Sequence, residues 1–376
     1  MTFNEIGVPD DLVAALAKQK ITEPTPIQAV SCPVLAAGKD AYLSAETGTG
    51  KTLAYLLPLF GRIDAQQAAT QLAVVAPSHE LALQIQRQCV ELAQNAGRPV
   101  RTLLLVGGTL IDRQVEKLKT KPHIVVGTTG RIRELIQLKK LKAHTIRCVV
   151  IDEADRLMSA EGEPAIREML HVMPRDRQLV FVSATEQPES AAAIASLAPG
   201  LVMLRTAEAP MNDKIEHLGL VCEERDKPDL LRSLVHALKA PRVMVFVHRT
   251  ETAEIVAAKL AYHHIEVAQL HGAFDKHNRK EAMESFRSGR APVLIASDVA
   301  ARGLDIAGVT HIVNLDAPTL SKAYLHRVGR TARAGASGVA VTFFTEAETH
   351  LARRFESELG IVIHRCRLRE GRLVKV

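Results

Sequence analysis

Cys148-Val149-Val150-Ile151-Asp152-Glu153-Ala154-Asp155 runs from four apolar residues directly into a cluster of carboxylates. The apolar half is short, β-rich and without alternation, as in a strand buried on both faces of a parallel sheet. Grouped charges at the end of such a strand are costly unless a cation shares them. Well upstream, Ala45-Glu46-Thr47-Gly48-Thr49-Gly50-Lys51-Thr52 supplies the reason for a cation. Its glycines let backbone N–H groups turn toward phosphate oxygens, and a helix expected over Leu53–Leu57 adds the positive potential of its N-terminus. Together the two stretches point to a nucleoside triphosphate bound with a metal ion, and to its hydrolysis.

Working outward, apolar β-rich runs alternate with helical patterns along the chain, the signature of βαβ units. In the first half the expected strands are 41–45, 72–76, 102–106, 124–127, 148–151 and 179–182. In the second half they are 243–247, 266–270, 293–296, 311–315 and 339–344. Helices such as 80–96, 251–261 and 279–287 lie between them. Ala207-Glu208-Ala209-Pro210-Met211-Asn212-Asp213 is short, polar and broken by proline, so it reads as a linker. The expected organisation is an N-terminal domain over 1–206, a linker over 207–213, a C-terminal domain over 214–360 and a basic tail over 361–376. The fold class is α/β, two parallel-sheet domains in tandem with a ligand cleft between them.

With 376 residues, each domain can bury its own core. No apolar run approaches the roughly 20 residues that cross a bilayer, and the N-terminus lacks a basic-then-apolar signal pattern. Cys32, Cys89, Cys148, Cys222 and Cys366 are odd in number and scattered, as free thiols in a reducing compartment are, which points to the cytoplasm. The net charge is +6, yet the last sixteen residues hold Arg365, Arg367, Arg369, Arg372 and Lys375 against Glu370 alone. That is +4 of the +6, in a tail that suits a polyanion or is simply solvated.

Individual roles follow from the phosphate chemistry. Lys51 can reach the β- and γ-phosphates, and the Thr52 hydroxyl can ligate Mg²⁺. Asp152 fits the second metal contact, through a water if need be, at the strand end where open α/β sheets bind ligands. Glu153 is placed to orient and polarise the attacking water. In His326-Arg327-Val328-Gly329-Arg330-Thr331-Ala332-Arg333, Arg330 and Arg333 are three apart on one side of a helical turn and can neutralise a transferring γ-phosphoryl. Supplied by the second domain, they would make hydrolysis depend on closure.

With these motifs in this order, the chain resembles the DEAD-box RNA helicases, two-domain RecA-like ATPases, over roughly residues 3–345. Pro24-Thr25-Pro26-Ile27-Gln28 resembles the family's Q motif, which implies that Gln28 reads the adenine edge with Phe3 as stacking partner. Thr47, Gly48, Thr49, Gly50, Lys51 and Thr52 correspond to motif I, and Asp152–Asp155 to motif II. Ser183-Ala184-Thr185 corresponds to motif III; the resemblance makes Asp155, Ser183, Thr185 and His326 the link between hydrolysis and RNA grip. Within Ser297–Asp305, similar to motif V, Asp305 would hold the ribose and Ser297 would face RNA. The other RNA-facing positions implied are Pro77, Ser78, Gly107, Gly108, Thr128, Gly130, Arg131, Arg249, Thr250 and Arg279. Hydroxyls, glycine N–H groups and arginines position a phosphate backbone without reading sequence. With 3% aromatic residues and no Trp, base-stacking platforms are scarce.

The chain departs from the family pattern at Lys20 and Ile21, where a glycine and an aromatic are usual. It departs again at Ser78 and His79, at Thr129 in place of proline, and at Lys276 in place of glutamine. All lie at the adenine rim or the RNA side, so ATP hydrolysis is expected intact with an altered RNA grip. The expectation is thus an ATP- and Mg²⁺-dependent RNA helicase, a monomer resembling a bare helicase core. A ribosomal or decay-complex protein would be a fitting partner. An ATP-gated RNA clamp, or a DNA-directed helicase of the same superfamily, is the competing reading.

Overall fold

The computed structural model describes residues 1–45, 48–184, 188–206, 214–238, 240–271, 276–301, 306, 308–332, 336–369 and 371–376. The chain divides into two compact units, Met1–Glu208 and Ala209–Val376. The linker expected over 207–213 lies outside the described residues.

The first unit is built on β1 (Ala41–Ser44), β2 (Leu72–Val75), β3 (Thr102–Leu105), β4 (Ile124–Gly127), β5 (Cys148–Asp152), β6 (Gln178–Ser183) and β7 (Val202–Arg205). They form one parallel sheet in the order β3-β4-β2-β5-β6-β1-β7. Alternate residues of the inner strands enter separate cores, Val74 and Val150 on one face, Val75 and Ile151 on the other. Helices therefore cover both faces, which is why these strands read as unbroken apolar runs. The helix His79–Ala96 is typical of the covering layer. Ser78 Oγ caps it by accepting from the Leu81 N–H, and Gly97 at φ +66° ends it.

The second unit contains β8 (Ile215–Val221), β9 (Val243–Phe246), β10 (Val267–Leu270), β11 (Val293–Ala296), β12 (His311–Asn314), β13 (Gly338–Phe344), β14 (Ile363–Arg369) and β15 (Arg372–Lys375). Their order is β10-β11-β9-β12-β13-β8-β14-β15, parallel throughout except for the final antiparallel pair. Val243 and Val245 face one core, Met244 and Phe246 the other.

Every strand expected from the sequence forms, within one residue at either end. β7, β8, β14 and β15 were not expected. The basic stretch 361–376 is not a loose extension but mostly β14 and β15, with Ile363 in register with His217 and Cys366 with Leu220 of β8. Its arginines disguise it, because a strand at a sheet edge needs only one apolar face.

Candidate functional site

The C-terminal ends of the first sheet's strands carry the motifs side by side. Asp152 pairs in register with Val182, and Ser44 with Ser183, so β5, β6 and β1 bring motifs II, III and I together. β3, β4 and β2 bring the loops after residues 105, 127 and 75 to the same edge. One edge thus carries the motifs expected to hold nucleotide on one side and those expected to face RNA on the other.

The phosphate loop leaves β1 and enters the helix Lys51–Gly61 through Gly50, at φ +86°. Only glycine takes that conformation cheaply, and a Cβ there would lie 2.5 Å from Gln28 Nε2, so the buried amide would have to move. Gln28 is buried, donating from Nε2 to the Gly50 carbonyl at 3.2 Å and accepting at Oε1 from the Thr25 N–H at 2.9 Å. The residue expected to read adenine is therefore wired to the phosphate loop. Lys51 Nζ donates to the Ala45 carbonyl at the loop's start. Gly48 is open and also left-handed, at φ +89°, whereas Thr47 lies outside the described residues.

Asp152 is 6% exposed, and both its oxygens are occupied. Oδ1 accepts from the Glu153 N–H at 2.9 Å and Oδ2 from the Tyr55 hydroxyl at 2.9 Å. Burial pushes its carboxyl up from the ordinary range, against the pull of Tyr55 and Lys51. Tyr55 is itself pushed well up, by burial first and then by Asp152. The phenol thus fixes one of the two side chains expected to hold Mg²⁺. The Asp152 carboxylate and the Thr52 hydroxyl are hard oxygen donors, and so small a set fits an ion that keeps most of its waters. Among the described residues no group of three or more His, Cys, Asp or Glu could hold a metal, and Mg²⁺ does not need one.

Glu153 stands at φ 51°, ψ 53°, a left-handed conformation that costs a non-glycine residue about 1–2 kcal/mol. The strain sits at the residue expected to orient water, at the turn from β5 into the helix Ala154–Leu157. Asp155 follows in that helix's first turn. Ser183 is buried at the end of β6, and Thr185 lies outside the described residues.

Phe3 is placed differently from the expectation. It is 1% exposed in the core, because the Val8 N–H bonds the Phe3 carbonyl and the turn folds the ring inward. It presents no open face to a base. Lys20 adopts φ 61° after the helix Asp10–Lys18, with Ile21 N–H bonded back to Leu16 O. That is a Schellman cap, which explains the family's glycine there, while the Ile21 side chain packs on the core.

On the side expected to face RNA, Pro77 and Ser78 precede a helix N-terminus, where backbone donors suit phosphate. Gly107, Gly108 and Gly130 are exposed. Gln114 Nε2 donates to the Val106 carbonyl, holding that glycine loop. Arg131 donates to Thr109 O at 3.1 Å and pairs with Glu134 at 2.8 Å, tying the loops after β3 and β4. Thr128 stands at the N-cap position of the helix Thr129–Gln137 without a side-chain capping bond, and the helix's first position, held here by Thr129, is one proline favours.

In the second unit Arg249 and Thr250 begin the helix Thr250–Tyr262. The Asp316 carboxylate holds their approach, accepting from the His248 N–H at 2.7 Å and from the buried Lys227 at 3.2 Å. Ser297 Oγ accepts from the Ala300 N–H, and Arg279 donates to the Ala300 carbonyl at 2.8 Å. His326 lies in the helix Ser321–Val328, whereas Arg330 stands two residues past its end, beyond the helical turn expected to carry it; Asp305 and Arg333 lie outside the described residues. The reading of motif VI passed over Arg327. It is 1% exposed, donates to both oxygens of Asp298 at 2.7 Å and to Asp316 O at 2.7 Å, and lies 5.1 Å from the Phe246 ring centroid. It ties motif V to motif VI. Its signal was a basic residue between Tyr324 and Val328 on the buried stripe of an amphipathic helix.

Comparison with known proteins places the same two halves. The family model described as DEAD/DEAH box helicase matches residues 25–194, and that described as Helicase conserved C-terminal domain matches residues 226–335. The chain is 38% identical over 355 residues to Probable ATP-dependent RNA helicase YfmL of Bacillus subtilis, covering 93% of each. It is 36% identical over 364 residues to DEAD-box ATP-dependent RNA helicase CshC of Bacillus cereus, covering 97% of this chain and 93% of that one. Among solved structures, S. cerevisiae Dbp5 bound to RNA and ADP BeF3 superposes with a TM-score of 0.85 at 30% identity, over 97% of this chain and 95% of that one.

Proposed function

As the chain belongs to the DEAD/DEAH box helicase family and is an ATP-dependent RNA helicase, we propose that it hydrolyses ATP only when ATP and RNA draw its two domains together. Lys51 and the Gly48–Thr52 loop bind the phosphates, and Gln28 carries adenine recognition into that loop. Thr52 and Asp152 hold Mg²⁺, which when bound neutralises charge on the β- and γ-phosphates. Glu153 orients the attacking water and takes its proton. Arg330 and Arg333 stabilise the charge that develops on the γ-phosphoryl, a role worth about 10³–10⁵ in rate where measured. Asp305 receives the ribose. Asp155, Ser183, Thr185 and His326 pass RNA occupancy to the hydrolytic groups.

RNA is held through its backbone by Pro77, Ser78, Gly107, Gly108, Thr128, Gly130 and Arg131 on one domain, and by Arg249, Thr250, Arg279 and Ser297 on the other. Both ligands stabilise the same closed state, so each raises the other's affinity. Closure distorts one strand of a short duplex, and phosphate release reopens the domains. The protein acts in this reading as a cytoplasmic monomer. Its free, mostly buried cysteines and the lack, among the described residues, of any helix long and apolar enough to cross a membrane fit that setting.

The observation that carries the mechanism is the buried Tyr55 hydroxyl, on the helix that motif I opens, donating to Asp152 of motif II, which couples the two motifs. Glu153→Gln tests it. ATP binding should persist, turnover should fall by about 10²–10⁴, and the RNA-bound complex should live longer. Unchanged turnover removes Glu153 from the mechanism.

A further inference from the structure

We propose that the β14–β15 hairpin is a second RNA-binding surface, where Arg365, Arg367, Arg369 and Arg372 grip phosphate backbone away from the motif-bearing strand ends. It rests on the helicase reading only for the identity of the polyanion. Strand register supplies the geometry. Arg365, Arg367 and Arg369 alternate along β14 and so share one face, and Arg372 joins them because it pairs with Arg369. The opposite face is spent on structure. Cys366 belongs to the core there, and Leu368 and Leu373 pack against it. Lys375, opposite Cys366, is neutralised by Glu216 at 2.6 Å.

The hairpin therefore sorts its charges. All four arginines are exposed, and none has an ion-pair or side-chain hydrogen-bond partner among the described residues. Alternate residues on a strand are about 6.8 Å apart and paired strands about 4.8 Å, both inside the roughly 8 Å Debye length of physiological salt. Four cations so placed repel one another, and a polyanion turns that repulsion into attraction while releasing its own counterions. Arginine, with its planar fork, matches phosphate oxygens better than lysine does. The hairpin has no aromatic residue, so its contacts would hold the backbone without reading bases. Between β9, whose end carries Arg249, and β14 stand β12, β13 and β8, a separation of about 19 Å. RNA reaching both would extend well beyond the helicase motifs.

The test is the salt dependence of binding to a fluorescently labelled single-stranded RNA, for the wild type and for R365Q/R367Q/R369Q/R372Q. Each lost phosphate contact lowers the slope by roughly 0.7, so four lower it by about 2.8. Between 50 and 200 mM salt the wild type should then lose about 50-fold more affinity than the variant. Arg→Lys at all four positions should restore the slope, and K375Q on the opposite face should leave it unchanged. Should the quadruple variant fail to fold, R365Q/R367Q and R369Q/R372Q should each lower the slope by about 1.4. ATPase at saturating RNA should match the wild type in every folded variant. Its absence from the wild type itself would instead indict the helicase reading. A slope unmoved by the glutamine variants overturns the proposal, leaving the arginines as guards against pairing at an exposed edge strand.

Discussion

Tyr55→Phe is the sharpest probe of how motif I is joined to motif II. The substitution keeps the ring, which is wholly buried in the first core, and removes one hydroxyl. That hydroxyl donates at 2.9 Å to Asp152 Oδ2, on a carboxylate only 6% exposed. A hydrogen bond to a charged group contributes about 1.5–3 kcal/mol, and here no solvent stands ready to replace it. The first unit should lose that amount in urea unfolding followed by circular dichroism, with hydrogen exchange assigning the transition to residues 1–208. In an Asp152→Ala background the same substitution should cost under about 0.5 kcal/mol, since the acceptor has gone. Half-saturation of the ATPase by Mg²⁺ should also rise, because the phenol orients Asp152, an expected ligand. A penalty of equal size in the Asp152→Ala background would refute the reasoning, because the hydroxyl would then be serving some other partner.

Two further outcomes follow from the second unit. Arg327→Met should destabilise it by about 3–5 kcal/mol, because Asp298 and the Asp316 carbonyl lose a buried cation that bonds both; a thermal melt unchanged from wild type would exclude the role. His217, buried and bonded to the Tyr324 hydroxyl at 2.8 Å, is held down to about 4 by burial and by nearby His364. Between its unfolded value near 6.5 and that value, the unfolded chain binds a proton that the folded one refuses, so this stability is complete above about 6.5 and is lost as pH falls toward 4. The wild type should lose about 3 kcal/mol more than His217→Asn between pH 7 and pH 4, and equal losses would show the ring to be irrelevant.

What could be read from the sequence depended on how local its cause was. Fully buried strands such as β2 and β4 announce themselves, because helices on both faces demand apolar residues at every position. The phosphate loop is legible because its glycines answer a backbone requirement at Gly48 and Gly50. β8 escaped because Glu216 and His217 interrupt its apolar run, although His217 is buried against Tyr324. The hydrogen bonds that organise the sites span long stretches of chain: 97 residues from Tyr55 to Asp152 and 68 from His248 to Asp316. No spacing rule reaches across such intervals. Phe3 failed for a related reason, since a turn of the chain, not the identity of the residue, decides which way its ring points.

The placement of β8 between β13 and β14 has a consequence for the protein's birth on the ribosome. β8 is the first strand of its unit to be synthesised, yet one of its two neighbours, β14, begins 148 positions later in the chain (363 minus 215). At about 5–20 residues per second it waits roughly 7–30 s for that neighbour. Throughout that interval Leu218 and Leu220 await their final packing, and one row of backbone donors and acceptors on β8 stays open. The first unit has its own sheet and its own cores, so it can fold during the wait. The nascent second unit is where a chaperone would be needed, and where a stall in translation between β13 and β14 would be most damaging.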